Sequence, residues 1–92
     1  MATLLQEKEI SSLLKELRDW TRADKEIKKV CELKDFARAM SFVNSVALIA
    51  EKMNHHPDID IRWNKVTLVL STHSAGGLTS NDFNLAKAID AL

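Results

Sequence analysis

The residues best suited to chemistry lie in one short run, Glu51-Lys52-Met53-Asn54-His55-His56-Pro57. Two of the three histidines and the only proline are in it, and the third histidine, His73, follows after sixteen intervening residues. Histidine has an unperturbed pKa of roughly 6.5, so it gives and takes protons near neutral pH. Glu51 precedes His55 by one helical turn if a helix runs that far, and Pro57 stiffens the chain just after His56. Three arrangements suit these residue types. Imidazoles in a cleft can act as general acid and base, a contribution of roughly 10²- to 10⁴-fold in rate. His55, His56 and His73 with Glu51 or Asp82 can hold zinc, although the spacing fits no familiar zinc pattern and no cysteine joins them. The histidines can also be satisfied by capping and hydrogen bonds alone. Spacing leaves all three open.

The flanking elements must bring His73 back to the His55-His56 pair. Thr3-Leu-Leu-Gln6 reads as a capping box, followed by Ile10, Leu13, Leu14 and Leu17 on one face, which predicts a helix over residues 4–18. Trp20–Ala23 and Glu26–Leu33 read as short strands around Asp24-Lys25. Asp35 opens the main helix, whose predicted apolar stripe is Phe36, Ala39, Met40, Val43, Val46, Ala47, Ala50 and Met53. Phe42, Leu48 and Ile49 fall off that stripe. A small chain has no large core to cover a second apolar side, which predicts self-association. The helix must stop before Pro57. Ile59, Ile61 and Trp63 alternate with Asp60, Arg62 and Asn64, and Val66, Leu68 and Leu70 with Thr67, Val69 and Ser71, which predicts a hairpin around Asn64-Lys65, with His73 ending its second strand. Ala75-Gly76-Gly77 reads as a flexible loop. Thr79-Ser-Asn-Asp82 is a second capping box, opening a helix with Phe83, Leu85, Ala86, Ala88, Ile89 and Leu92 as its apolar positions. The expected class is α+β: a four-stranded antiparallel sheet with helices packed on one face, in the order α-β-β-α-β-β-α.

Composition narrows the functions. At 92 residues and 46% hydrophobic, the chain reads as a single domain spanning 1–92. Thirteen basic and thirteen acidic residues cancel, which argues against direct nucleic-acid binding. Cys31 is the only cysteine, so no internal disulfide forms; it reads as a small buried hydrophobe. No secretory leader pattern is visible, and Val46–Ala50 is far too short to span a bilayer, so the expectation is a cytoplasmic protein with no membrane partner.

Glu51-x3-His55-His56-Pro57 is followed by five residues before Trp63, nine more before His73 and eight more before Asp82. This pattern resembles the signature of the pterin-4a-carbinolamine dehydratases. Lys34-Asp-Phe-Ala-Arg-Ala, Val46-Ala-Leu-Ile-Ala-Glu-Lys, Asn64-Lys-Val, Leu70-Ser-Thr-His and Asn84-Leu-Ala are also similar to that family, over roughly residues 13 to 91. The resemblance implies loss of water from 4a-hydroxytetrahydrobiopterin to give the quinonoid dihydropterin, which recycles the pterin cofactor of aromatic amino-acid hydroxylases. It implies no metal and no cofactor, the pterin being the substrate. It implies His55 and His73 as acid–base residues, His56 as a catalytic-site residue that mainly binds and orients substrate, Glu51 and Asp82 as supports of geometry and charge, and Trp20 as a wall of the pocket. Trp20 reads equally well as a sheet-edge core residue. Trp63 stands where many members have tyrosine and reads as packing; Asn54 stands where some have aspartate. A homodimer or homotetramer is implied, the latter through the long helix. Two other roles come with the family: dimerisation cofactor for a transcription factor, as in some animal members, and a place in molybdopterin-related metabolism.

Overall fold

The computed structural model describes residues 2–92. Helix α1 (Glu7–Leu14) is followed by strands β1 (Thr21–Ala23) and β2 (Glu26–Glu32), helix α2 (Phe36–Met53), strands β3 (Asp58–Arg62) and β4 (Lys65–Leu70), and helix α3 (Ser80–Asp90). The strands form one antiparallel sheet in the order β1-β2-β4-β3, which is the α+β arrangement expected from the sequence. The two hairpins meet in the middle, where β2 pairs with β4 in a register that sets Ile27 opposite Leu70 and Cys31 opposite Val66.

Alternation decides which face is covered. Ile27 on β2 and Val66, Leu68 and Leu70 on β4 are buried, together with Ala39, Val46 and Ala50 of α2 and Phe83, Leu85, Ala86 and Ile89 of α3. Fully burying a Leu, Ile, Val or Phe side chain contributes about 1.5–3 kcal/mol. On the other face Lys28 and Val30 are exposed and Thr67 and Val69 half-buried, so the helices cover a single side.

Several boundaries differ from the sequence-based expectation. Helix α1 starts at Glu7, not near residue 4. Leu5 donates its N–H to the Leu78 carbonyl at 3.0 Å, which holds the preceding segment extended. Gln6 therefore takes the cap position, its N–H donating to Glu9 Oε1 at 3.0 Å, and Thr3 does not. At the other end, Asp19 in the left-handed region (φ 60°) turns the chain towards β1. The β3–β4 turn is Trp63-Asn64, one residue earlier than expected, because Asn64 is tied to the end of β2. Its carbonyl accepts from Leu33 N–H at 2.8 Å, and its amide donates to the Leu33 carbonyl at 2.9 Å. Trp63 does not pack: it is 70% exposed, with φ at 52°. The buried line of α2 is also rotated. Ala39, Val46 and Ala50 are in the core and Phe42, Val43 and Ile49 pack against it, whereas Phe36, Ala47 and Met53 are exposed. Leu48 is 74% exposed. No helix is long and apolar enough to cross a membrane, among the described residues.

Candidate active site

The end of α2 sets the first two histidines. Asn54 lies in the left-handed region (φ 52°, ψ 43°); its N–H donates to Glu51 O at 3.2 Å, and His55 N–H reaches back to Ala50 O at 3.1 Å. This is the paired hydrogen-bond pattern of a Schellman helix end, usually closed by glycine and sometimes by asparagine. It swings His55 off the helix axis and across to α3. There Nε2 lies 2.6 Å from Asp82 Oδ1. His56, the next residue, points elsewhere and pairs through Nε2 with Glu51. The expected Glu51–His55 neighbour relation is thus replaced. One helical turn does not survive the left-handed residue between them, and Glu51 meets the following imidazole instead.

Asp82 is fully buried, and both of its oxygens are used. Oδ2 accepts from Thr79 N–H at 2.9 Å, as the returning half of the α3 capping box, and from the Thr72 hydroxyl at 2.8 Å. The Thr72 and Thr79 hydroxyl oxygens are 2.7 Å apart. Thr79 Oγ1 accepts from Asn81 N–H at 3.2 Å, so its own proton goes to Thr72 and the Thr72 proton goes to Asp82. A carboxylate held by donors on one oxygen presents the other to His55. An ionised carboxylate only accepts, so His55 Nε2 carries a proton and Nδ1 is the ring's second proton site.

His73 arrives from the sheet. It does not end β4, which stops at Leu70; it opens a single 3₁₀ turn, His73–Ala75. Thr72 and Gly77 close that turn as a bridge, Thr72 N–H to Gly77 O at 2.9 Å and Gly77 N–H to Thr72 O at 3.3 Å. Gly76 takes the left-handed position the turn requires (φ 79°). The segment read as a flexible loop is a closed turn that displays His73. The imidazole is exposed and has no side-chain hydrogen bond among the described residues.

The three histidines therefore meet at one hollow of about 280 Å³, lined also by Asn54, Ser71, Thr72 and Ser74. His55 is its sheltered wall, with 12% of its side chain exposed, while His56 and Glu51 stand at the rim. Trp20 is not among the lining residues. It belongs to the core, 5% exposed, and its ring N–H donates to Asp90 Oδ1 at 2.9 Å. Among the described residues no group of three histidine, cysteine, aspartate or glutamate side chains converges as a metal-ligand set. Sequence reasoning identifies Asp82 but not the Thr72 hydroxyl that donates to it, nor the Thr79 hydroxyl that pairs with Thr72. The only local signal is the capping-box threonine.

An open hollow with one carboxylate-oriented imidazole and a second, unencumbered imidazole across it can donate and accept protons at adjacent atoms of a small ligand. Known proteins place the chain in a family. The family model described as pterin 4 alpha carbinolamine dehydratase matches residues 3–92. A relative in Roseiflexus castenholzii, named as a candidate pterin-4-alpha-carbinolamine dehydratase, is 55% identical over 92 residues, covering 100% of this chain and 99% of its own. One of the same name in Nocardia farcinica is 51% identical over 89 residues, 97% of this chain and 94% of its own. A crystal structure from Brucella melitensis, described as a transcriptional coactivator/pterin dehydratase, superposes with a TM-score of 0.91 at 35% identity over 95% of both chains. A pterin dehydratase-like RuBisCO assembly factor of the alpha-carboxysome shares the fold, with a TM-score of 0.64 at 20% identity over 82% of this chain and 86% of its own. The chain belongs to the pterin 4 alpha carbinolamine dehydratase family.

Proposed function

We propose that this protein removes water from 4a-hydroxytetrahydrobiopterin to give the quinonoid dihydropterin, and so recycles the cofactor of aromatic amino-acid hydroxylases. The observation that carries the proposal is the His55–Asp82 pair facing the same hollow as His73. The hydroxyl leaves from C4a, which also bears N5. One group protonates the departing oxygen and another takes the N5 proton; the C4a–O bond breaks, a C4a=N5 double bond forms and water leaves. His55 and His73 supply those two groups, acting on opposite faces or stereoisomers. Asp82 holds the His55 ring in place. His56, at the rim with Glu51, binds and orients the ring. Trp20 contributes as part of the core behind the sheet.

The reaction needs neither metal nor cofactor in this proposal, since imidazoles alone can move both protons. The test is a dehydratase assay on chemically generated 4a-hydroxytetrahydrobiopterin, before and after dialysis against a strong chelator. Full activity after dialysis is expected. Activity that is lost and returns only with zinc would replace acid–base catalysis by a metal site, and no acceleration over the uncatalysed loss of water would remove the proposal.

A second reading rests on the apolar side chains that α2 leaves exposed, Phe36, Leu48 and Met53. They serve either further copies of this chain, as a homodimer or homotetramer, or another protein, as the coactivator description of the Brucella relative suggests. A homotetramer of the pure protein would favour the first; a dimer would leave the α2 surface free.

A further inference from the structure

Thr72 is buried, and each of its polar atoms is used. Its main chain holds the turn that carries His73, the next residue. Thr72 N–H donates to Gly77 O at 2.9 Å, and Thr72 O accepts from the N–H groups of Ala75 and Gly76, each at 3.0 Å, and of Gly77 at 3.3 Å. Its side chain serves α3 instead. Oγ1 lies 2.8 Å from Asp82 Oδ2 and 2.7 Å from Thr79 Oγ1. A hydroxyl has one proton to give. The Thr79 proton goes to Thr72, so the Thr72 proton goes to Asp82. The backbone at Thr72 is extended (φ −105°, ψ 90°), and a β-branched side chain is stiff about χ1. The backbone that displays His73 therefore also aims this hydroxyl.

We propose that Thr72 is a positioning residue for His55: its hydroxyl fixes the Asp82 carboxylate, and the carboxylate fixes the imidazole. The turn that bears one acid–base group thereby sets the other. The effect on turnover rests on the dehydration assigned to the histidine site; the effect on the ring does not. The terminal torsion of an aspartate side chain is soft. Thr79 N–H, at the start of the same helix, donates to Oδ2 at 2.9 Å, and one such bond leaves the carboxylate free to pivot about it. Thr72 supplies a second donor to the same oxygen from a different chain segment, which removes that freedom. Oδ1 belongs to the same planar group, so its place 2.6 Å from His55 Nε2 is fixed with it. The bonds that hold the His73 turn are all main-chain and do not involve the hydroxyl. Losing the hydroxyl therefore disturbs His55 and leaves the His73 turn in place.

The experiment compares wild type with Thr72→Val, which keeps the branched shape without the hydroxyl, and Thr72→Ser, which keeps the hydroxyl. The first measurement needs no substrate. Proton–nitrogen NMR of the full chain follows exchange of the His55 Nε2 proton with water. Thr72→Val should speed it about tenfold, the worth of one hydrogen bond to a charged group. Thr72→Ser, looser about χ1, should stay within about threefold of wild type. The Ala75 and Gly76 amide protons, which donate to Thr72 O, should exchange at wild-type rates in both variants. The second measurement is kcat and KM on 4a-hydroxytetrahydrobiopterin. Thr72→Val should lower kcat about tenfold with little change in KM, and Thr72→Ser should restore most of that loss. The Val effect should vanish when His55→Ala is already present and persist alongside His73→Ala. A serine variant that falls as far as valine would overturn the proposal, and so would a Val effect undiminished without His55. Ala75 and Gly76 amides that quicken together with the His55 proton would overturn it too, since general loosening then explains the loss. If wild type does not dehydrate the pterin but the proton exchange behaves as expected, the reaction falls and the positioning of the ring stands. If wild type dehydrates it and Thr72→Val changes neither exchange nor kcat, the reaction stands and the proposal falls. Where Thr72→Val does not fold, Thr72→Cys, whose thiol is a weak donor, is compared with Thr72→Ser; faster exchange in Cys supports the proposal and equal rates overturn it.

Discussion

Asp82 serves two structures at once. Its Oδ2 closes the α3 capping box, and its Oδ1 holds the catalytic candidate His55. Asp82→Asn keeps the shape but must place an NH₂ against either the Thr79 N–H and Thr72 hydroxyl or the His55 Nε2–H. A donor facing a donor in a buried site costs about 1–3 kcal/mol. The variant is expected to unfold at lower urea and also to lose turnover, and urea melts alongside kcat measure both. The histidines should separate by role. His55→Ala or His73→Ala should lower kcat by roughly 10²- to 10⁴-fold, less if the remaining histidine serves one stereoisomer, and the double variant should lose more than either. His56→Ala should raise KM more than it lowers kcat, the pattern of lost uniform binding. A folded double variant with near wild-type kcat on both stereoisomers would end the acid–base assignment. The histidine trio is legible in the sequence from residue types and spacing; Asp82 enters there only as a capping-box residue and a candidate zinc ligand, and its supporting role comes from the family resemblance. The Thr72–Thr79 relay is not legible, because it depends on two chain segments meeting across the bridge that closes the His73 turn. Nor is the pairing of Glu51 with His56, since that follows from the left-handed backbone at Asn54.

The end of α2 is the element on which the site turns. Asn54 is the residue that lets one helix end present two histidines in different directions, and a left-handed conformation costs an ordinary L-residue about 1–2 kcal/mol. Asn54→Ala is therefore expected to destabilise by about that amount, while Asn54→Gly should be neutral or slightly stabilising. Chemical denaturation of the three proteins checks this. If Ala and Gly behave alike, the helix end does not impose the conformation described. Elements with strong local pattern are the ones readable from sequence: the period-two strands β3 and β4 and the capping box of α3. Where non-local contacts decide, sequence and structure part. Leu5 bonding to Leu78 delays α1, Asn64 bonding to Leu33 moves the hairpin turn, and packing of α2 on both β4 and α3 draws in Phe42 and Ile49 in place of Phe36 and Met53.

The whole molecule is closed by a charge near its C-terminus and left open along one helix. Asp90, at the end of α3, accepts from Arg18 N–H at 2.9 Å, the Trp20 ring N–H at 2.9 Å and Lys29 Nζ at 2.7 Å, and so ties the α1–β1 connection and β2 to the last helix. Burial alone would push the Asp90 carboxyl up; the bonds from Lys29, Arg18 and Trp20 outweigh it and hold the carboxyl below the usual range. A depressed folded-state pKa gives stability that is complete above the unfolded value, about 3.9, and is lost as pH falls through the folded one. Asp90→Asn should therefore lower Tm at pH 7, and its difference from wild type should narrow below about pH 4. Thermal melts across pH 3 to 7 test this, and a constant difference would show that the Asp90 charge is not what stabilises. The open side is α2, where Leu48 is 74% and Phe36 53% exposed. Burying one leucine is worth about 2 kcal/mol, and a two-fold interface uses each patch twice, so Leu48→Glu should raise a dissociation constant by about 10³-fold. Phe42, which also falls off the predicted stripe, packs against the core, and a charge there would unfold the chain rather than separate copies. Sedimentation at micromolar concentration should show Leu48→Glu at least one step smaller than wild type with an unchanged circular dichroism spectrum. A wild-type monomer at that concentration would leave the exposed face of α2 without the self-association proposed for it.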